Sequence, residues 1–576
     1  MQSRASLRHD GLIALGLAIV LGATWTWRAW PDLLALRLPD TDDVMRLQQV
    51  RDWLGGQGWS DLAQHRLGDP AAGGTAMHWT RLADLGPAAL IVTLVPFVGR
   101  HPAEVAAVTV WPLILFAAAI LLVGRIARAV PGGSGALAAT AMVVGAIAYP
   151  ATTVFAPGRI DHHGLQMVLL LAATLATVVP ASVRAGFAAG AAAAAGLIVG
   201  LETVPLLAVL GGVAVAEWIR GGRGARLRGL GAGALAGLAV ARAAFAPAAW
   251  SVATCDALAA PAWRAALPLA GAALLLGIIG PWFATRRQRN AAAALVGATA
   301  VGVALWLSPA CLHPYGAVSP LLASVWLDRV GEAQPLFAAA PLVAIGYAGV
   351  MAAGLAATLW RAIRTREPGW WTLTILLLAA FATSAVQLRG AYPGALLAAP
   401  GLAMLVGAAR ARGAVPLVGA WAVSTGMLYP VAAAAMAPAR PGGGIAGEAC
   451  ASPALARALA ALPVGEVMAP IDAGAWLIAG TPQRLVAAPY HRNGAGNLAA
   501  FAFYARSPAR AARIAARWRV AWLVMCADMP GRAVPGTAAR ALAAGPLPGW
   551  RTVAAMADGA RIDTPQPRLL ATPARR

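Results

Sequence analysis

The sequence predicts an α-helical polytopic membrane protein of about thirteen transmembrane helices, ending in a mixed α/β domain outside the cytoplasm. Three observations carry that reading. Hydrophobic residues make up 59% of the 576 residues, charged residues only 12%, and the mean hydropathy is +0.67. No soluble chain of this length could bury so much apolar surface, so lipid must be the solvent for most of it. Apolar runs of membrane-spanning length recur up to residue 436 and then stop. The net charge of +22 is carried by arginines alone, with no lysine, and they fall between the apolar runs. That placement follows the positive-inside rule and excludes the nucleic-acid partner that a strongly basic chain would otherwise suggest.

The elements follow in order. The N-terminus MQSRASLRHD precedes an apolar run from 11 to about 27. TWTWRAWPDLL follows it without a small-residue cleavage site, so the run reads as an anchor that leaves the cytoplasm and not as a removed signal. The stretch 31–103 is the most polar part of the first half and forms a long first exterior loop. Within it Val44, Leu47, Val50 and Leu54 recur with helical period and share one face. Further spans are placed near 104–124, 134–150, 164–182, 184–201, 204–219, 229–248, 264–283, 291–308, 336–360, 370–388, 393–409 and 413–436. Counting crossings puts Arg125 and Arg128, Arg184, 220–228, 285–289, 361–367 and 409–412 on the cytoplasmic side. An error of one span would invert all that follows it.

The chain therefore divides into a membrane domain, 1–438, and an exterior domain, 439–576, that opens on the linker ARPGGG at 439–444. In the exterior domain GEVMAPI, RLVAAPY and RVAWLVMC read as strands between helical segments. Cys255, Cys311, Cys450 and Cys526 all fall on the exterior side, where the pairings 255–311 and 450–526 are permitted; four unpaired thiols are the alternative.

Three acidic clusters sit at exterior ends of spans: Asp40 with Asp42 and Asp43, Asp161 in GRIDHHGLQ, and Glu332 in DRVGEAQPL. Charges at the hydrocarbon boundary are costly and face a cavity or a partner. Carboxylates with His163, and His162 beside it, suit a hard divalent cation, Mg²⁺ or, with an imidazole ligand, Mn²⁺. Each feature also has a purely structural reading. Asp40 could cap the helix that follows, Glu332 could pair with Arg329, and the histidines could be interfacial.

At these residues the sequence resembles the catalytic subunit of oligosaccharyltransferases, membrane enzymes of the GT-C glycosyltransferase superfamily. The family's first exterior loop opens with an Asp followed six positions later by an Arg, the spacing of Asp40 and Arg46 in DTDDVMR. Its archaeal GxxDHH motif matches GRIDHH and implies Asp161 and His163 as metal ligands, with Asp40 sharing the ion. Its SVSEHQP segment matches VGEAQP, with Glu332 as the acid near the acceptor. Its late-span Arg, which contacts the donor phosphate, matches Arg389 in VQLRGAY. The family marker WWDYG is degenerate here: APIDAGAWL keeps Asp472 and Gly474 but neither Trp nor the Tyr.

The resemblance implies transfer of a sugar or oligosaccharide from a polyprenyl-phosphate or pyrophosphate donor at the periplasmic face of a bacterial inner membrane. Asp40 and Glu332 would act on the acceptor, and Asp40, Asp161 and His163 would hold the divalent ion. Arg389 would bind donor phosphate, with Asp42, Asp43, Arg46, His162 and Asp472 in support. The loss of the two Trp leaves the acceptor open among protein, lipid and glycan. A lipid-linked glycan binder, or a transporter or flippase, is the alternative. No phosphate-binding loop or dinucleotide fingerprint is present in the sequence, as expected if the activated sugar arrives on lipid.

Overall fold

A helix occupies each of the thirteen expected span positions in the computed structural model, which describes residues 4–313, 316, 318–326, 330–436, 450, 452–527, 529 and 534–566. The expected linker 439–444 and Arg329 lie outside the described residues. By length and apolarity, eight helices among the described residues are able to cross a membrane, or nine if the bent pair Ala414–Ser424 and Leu428–Met436 counts as one span. Four helices at expected positions are shorter: Gly135–Ala146, His163–Val178, Val183–Val199 and Val204–Ile219. Another, Ala225–Ala244, carries Arg226, Arg228 and Arg242.

One of the eight was expected as loop. Arg81–Val98 is long and apolar enough to span. The long helices Arg4–Leu34 and Arg100–Ala129 run antiparallel: Arg128 pairs with Asp10 at one end, and His101 Nε2 lies 2.9 Å from the Leu34 carbonyl oxygen at the other. Glu104 joins that second end, accepting from Arg51 of the helix Thr41–Leu54 at 2.6 Å. Arg81, where the 81–98 helix begins, donates to the carbonyls of Gln49 and Asp61 in the same region. The helix packs antiparallel against the first half of Arg100–Ala129, where a Cβ at Gly86 would stand 2.4 Å from the Trp111 ring, and leaves Val92, Phe97 and Val98 exposed.

The bundle is held by close backbone contact as well as by side chains. Val183–Val199 and Ala225–Ala244 cross at two matched small-residue pairs, Gly186 with Gly190 and Gly229 with Gly233. A Cβ at Gly190 would stand 2.1 Å from the Leu230 carbonyl oxygen, and one at Gly233 would stand 2.2 Å from that of Phe187. Between apolar helices in lipid such contact is a main source of association. Gly190→Leu is therefore expected to lose about 3 kcal/mol of stability, the upper part of the overpacking range, read as an earlier unfolding midpoint in detergent.

The C-terminal domain is built on five of the seven strands among the described residues. β1 (Ala63–Gln64) and β2 (Thr75–Ala76) form a small hairpin in the first loop; β3 (Glu466–Met468), β4 (Arg484–Leu485), β5 (Val520–Met525), β6 (Trp550–Ala555) and β7 (Arg561–Pro565) form a mixed sheet ordered β4-β3-β5-β7-β6. β3 pairs in parallel with β4 and β5, while β7 is antiparallel to β5 and β6. Its core is shared: Met45, Leu67, Met77 and Trp79 of the first loop are buried together with residues of the sheet domain. The seam is also polar. Tyr490 OH donates to the Thr41 carbonyl at 2.9 Å, Arg66 reaches the Ile478 carbonyl at 2.8 Å, and Arg492 forks onto Asp256 at 2.7 and 2.8 Å. The sheet domain thereby caps the end of the bundle where the acidic residues lie.

The cysteines form Cys255–Cys311 and Cys450–Cys526, closing separations of 56 and 76 residues. The second links the entry of the sheet domain to the end of β5, so its reduction is expected to cost that domain about 2–5 kcal/mol. Denaturant titration with and without reductant checks this.

Candidate active site

The site is assembled from four segments that the sequence keeps far apart. Helix Thr41–Leu54 contributes its first turn. Asp40 caps it, accepting from the Asp42 amide at 3.2 Å, and its other oxygen takes Arg159 at 3.0 Å. Asp43 is fully buried; it accepts from the Asp161 amide at 2.8 Å and lies 3.0 Å from the same Arg159. Burial, with Asp40 and Asp161 nearby and Arg159 opposing them, leaves the Asp43 carboxyl at about 7. Asp42 has no hydrogen-bond or ion-pair partner among the described residues. Burial and the charges of Asp161, Asp40 and Glu332 push it well above the usual carboxylate range.

The second segment is the turn before helix His163–Val178. Asp161 is buried, with one oxygen 2.5 Å from His162 Nδ1 and the other against His163 Nδ1. Arg46, one helical turn past Asp42, lies beneath it. Its guanidinium donates to Asp84 at 3.0 Å and to Asp161 at 3.3 Å, and its CZ sits 4.6 Å over the Trp79 ring. Burial alone would raise the Asp161 carboxyl, but the two histidines outweigh it and hold it well below the usual range.

The third segment, between helices Val183–Val199 and Val204–Ile219, brings Glu202. It lies 3.0 Å from His162 Nε2 and accepts from Gln166 at 2.5 Å. Burial disfavours charge on His162, yet Asp161 and Glu202 raise it to about 10, so both ring nitrogens donate. Sequence reasoning missed Glu202, although it is the one charged residue between Arg184 and Glu217 and so had the same signature as the other three acids.

The fourth segment joins two expected residues. Leu388 N donates to the Gln334 carbonyl at 2.8 Å, and Leu336 N to the Ser384 carbonyl at 3.0 Å, which pins the Glu332 loop against the turn Leu388–Gly390. Arg389 then lies 3.5 Å from Glu332 and 3.8 Å from Glu202. Tyr392, one turn further, donates to Glu332 at 3.2 Å. Glu332 is 3.9 Å from His163 Nε2, a buried nitrogen that makes no hydrogen bond. Asp472 lines the same cavity as Asp40 and Asp42, and its carboxyl is hydrogen-bonded to Trp326.

This arrangement fits a divalent cation. Ligand atoms of Asp161, His162 and His163 lie within 4.8 Å of one another, the one such group among the described residues. The unbonded His163 Nε2 and the unpartnered Asp42 carboxylate, crowded by other acids, are what a cation would satisfy. His162 has both ring nitrogens engaged by carboxylates, whereas His163 has its Nε2 unbonded. Asp40, expected to share the ion, is turned to its helix cap and Arg159.

A helical bundle capped by a sheet domain, with acids and histidines gathered at their junction, defines a multi-pass membrane protein whose fold is like that of the archaeal oligosaccharyltransferase. Solved structures that share it include those of the archaeal oligosaccharyltransferase AglB from Archaeoglobus fulgidus. The complex with an inhibitory peptide and a dolichol-phosphate matches with a TM-score of 0.63 at 16% identity, over 89% of this chain and 69% of that one. The structure tethered to an acceptor peptide containing the NVT sequon matches with a TM-score of 0.64 at 15% identity, over 89% and 68%. The complex with Zn and sulfate matches with a TM-score of 0.59 at 16% identity, over 90% and 67%. No protein-family model and no curated protein sequence matches this chain.

Proposed function

We propose that this protein is a membrane glycosyltransferase that transfers a sugar or oligosaccharide from a polyprenyl-phosphate or pyrophosphate donor to an acceptor, at the periplasmic face of a bacterial inner membrane. The observation that carries the reading is the meeting of Asp161, His163, Glu332 and Arg389 in one site beneath the sheet domain. The archaeal neighbours' dolichol-phosphate and acceptor peptide support a lipid-borne donor met by a second substrate.

Arg389 holds donor phosphate through charge-assisted hydrogen bonds, drawn from its present loose pairing with Glu202 and Glu332. Asp161 and His163, with Asp42 in the place expected for Asp40, would hold a divalent ion, Mg²⁺ or Mn²⁺, which would supply positive charge to offset that developing on the leaving phosphate. Arg46 and Asp43 fix Asp161 from below, and Glu202 fixes His162. Glu332 and Asp42, both lining the cavity, orient the acceptor and take its proton. The acceptor atom bonds to the anomeric carbon as the bond from that carbon to the phosphate oxygen breaks. The electron pair leaves with the lipid phosphate. Asp40 acts as a positioning residue through Arg159.

The test is release of lipid phosphate and formation of glycosylated product from a labelled polyprenyl-pyrophosphate glycan by the purified protein. Arg389→Ala is expected to raise KM for donor at least tenfold, because it removes a phosphate contact and no metal ligand. A variant with unchanged KM contradicts the assignment. We assign thirteen crossings with the sheet domain outside, and no crossing to the helix 81–98. Reporter fusions after Arg228 and Arg289 are expected to read cytoplasm and one near Gly444 periplasm; a cytoplasmic signal at Gly444 overturns the topology.

A further inference from the structure

We infer that the acceptor is itself borne by the membrane, an amphiphile with an anionic headgroup that enters the site sideways along the first helix. This rests on the transfer reading above and names the second substrate. A cavity of about 1060 Å³ lies beside the acidic cluster, with Asp42 and Glu332 at its inner end. From there its wall follows Arg28, Trp25, Thr24 and Leu21 of the first helix. All four belong to the apolar stretch Leu7–Leu34. The seven residue steps from Arg28 to Leu21 carry the cavity roughly 10 Å along the helix, away from its exterior end. Met427, 44% exposed, also lines it, at the 81° bend between Ala414–Ser424 and Leu428–Met436. The cavity is thus bordered by two elements with exposed apolar side chains, Leu15, Ile19 and Val20 on the first helix and Leu428 and Val431 past the bend. A water-borne acceptor would have no use for that depth, whereas an acyl chain would fill it.

Charge marks the level of the headgroup. Arg159 is engaged by Asp40 and Asp43, but Arg28 is exposed and makes no hydrogen bond or ion pair among the described residues. It stands among Trp25, Trp27 and Trp30, the aromatic belt that marks the membrane–water interface, where anionic headgroups reside. In the wall of the same cavity the Trp326 indole stands against the Asp472 carboxyl and narrows the approach from the sheet domain. An acceptor anchored by its phosphate at Arg28 presents its headgroup to Asp42 and Glu332.

The test uses the full chain in nanodiscs of phosphatidylcholine containing phosphatidylglycerol with a diazirine on its acyl chain, the labelled residues being mapped by mass spectrometry. Labelling is expected to concentrate on Leu21, Thr24 and Met427, several-fold above Leu12, Leu15 and Ile19, which are exposed lower on the same helix. It is expected to fall roughly fivefold in Arg28→Ala and to recover in Arg28→Lys. Labelling no higher at Leu21 and Thr24 than at Leu12, Leu15 and Ile19 overturns the proposal, as does indifference to Arg28→Ala. A benzophenone-bearing sequon peptide that labels the same residues and displaces the lipid also overturns it, in favour of a peptide acceptor. Donor turnover is scored separately. Turnover without rim labelling by lipid leaves the transferase and removes the lipid acceptor; rim labelling without turnover leaves an anionic-lipid site and overturns both the transferase and the acceptor role.

Discussion

Asp161→Ala protein is expected to turn over lipid-linked donor at least roughly 10³-fold more slowly than wild type, while remaining folded. The Asp161 side chain joins both histidines to Arg46, and its amide donates to Asp43. Its loss removes the carboxylate around which the cation group is built. It also releases His162, whose raised proton affinity depends on Asp161 and Glu202 together. Arg46 retains Asp84, so no buried guanidinium is stranded. Asp161→Asn keeps the shape and loses the charge, and should be nearly as slow. Initial rates of lipid-phosphate release measure both variants. A normal rate in either contradicts the mechanism.

Arg46→Ala should damage stability more than any other single change at the site. The residue is completely buried, spans Asp84 and Asp161, and covers the face of Trp79. Removing one member of such a network leaves buried carboxylates without their countercharge, which typically costs about 3–5 kcal/mol. Asp84 would keep only Arg81, at 3.1 Å. Because Met45, Met77 and Trp79 pack into the sheet domain's core, the loss should appear as early detachment of that domain. Limited proteolysis of 450–566 against temperature reads this, and Arg46→Met with Asp84→Asn should recover part of it by relieving the surplus negative charge.

The positions of the helices were legible because apolar runs of helical length mark them. The helix Arg81–Val98 was not, because it lies in a stretch whose polar residues read as a long loop. Asp161, His163, Glu332 and Arg389 could be picked out because charges beside apolar spans are rare. The choice among Asp40, Asp42 and Asp43 could not be made from spacing. Consecutive positions at a helix start point in different directions, and only the cap geometry shows that Asp40 serves the backbone and Arg159. Glu202 carried the same signal as the other acids and was passed over for want of a motif around it. The glycine pairs at 186 and 190 and at 229 and 233 were hidden in a background rich in Ala and Gly, where small residues carry little information until two helices are seen to meet.

The most direct measurement is the rate of glycan release from a labelled polyprenyl-pyrophosphate donor by chelator-stripped wild-type protein as Mn²⁺ or Mg²⁺ is returned. The site described here predicts negligible release with EDTA and saturable recovery with either ion. That recovery should be absent in Asp161→Ala. Release that proceeds at the full rate in EDTA would contradict a transferase built on a cation at Asp161 and His163.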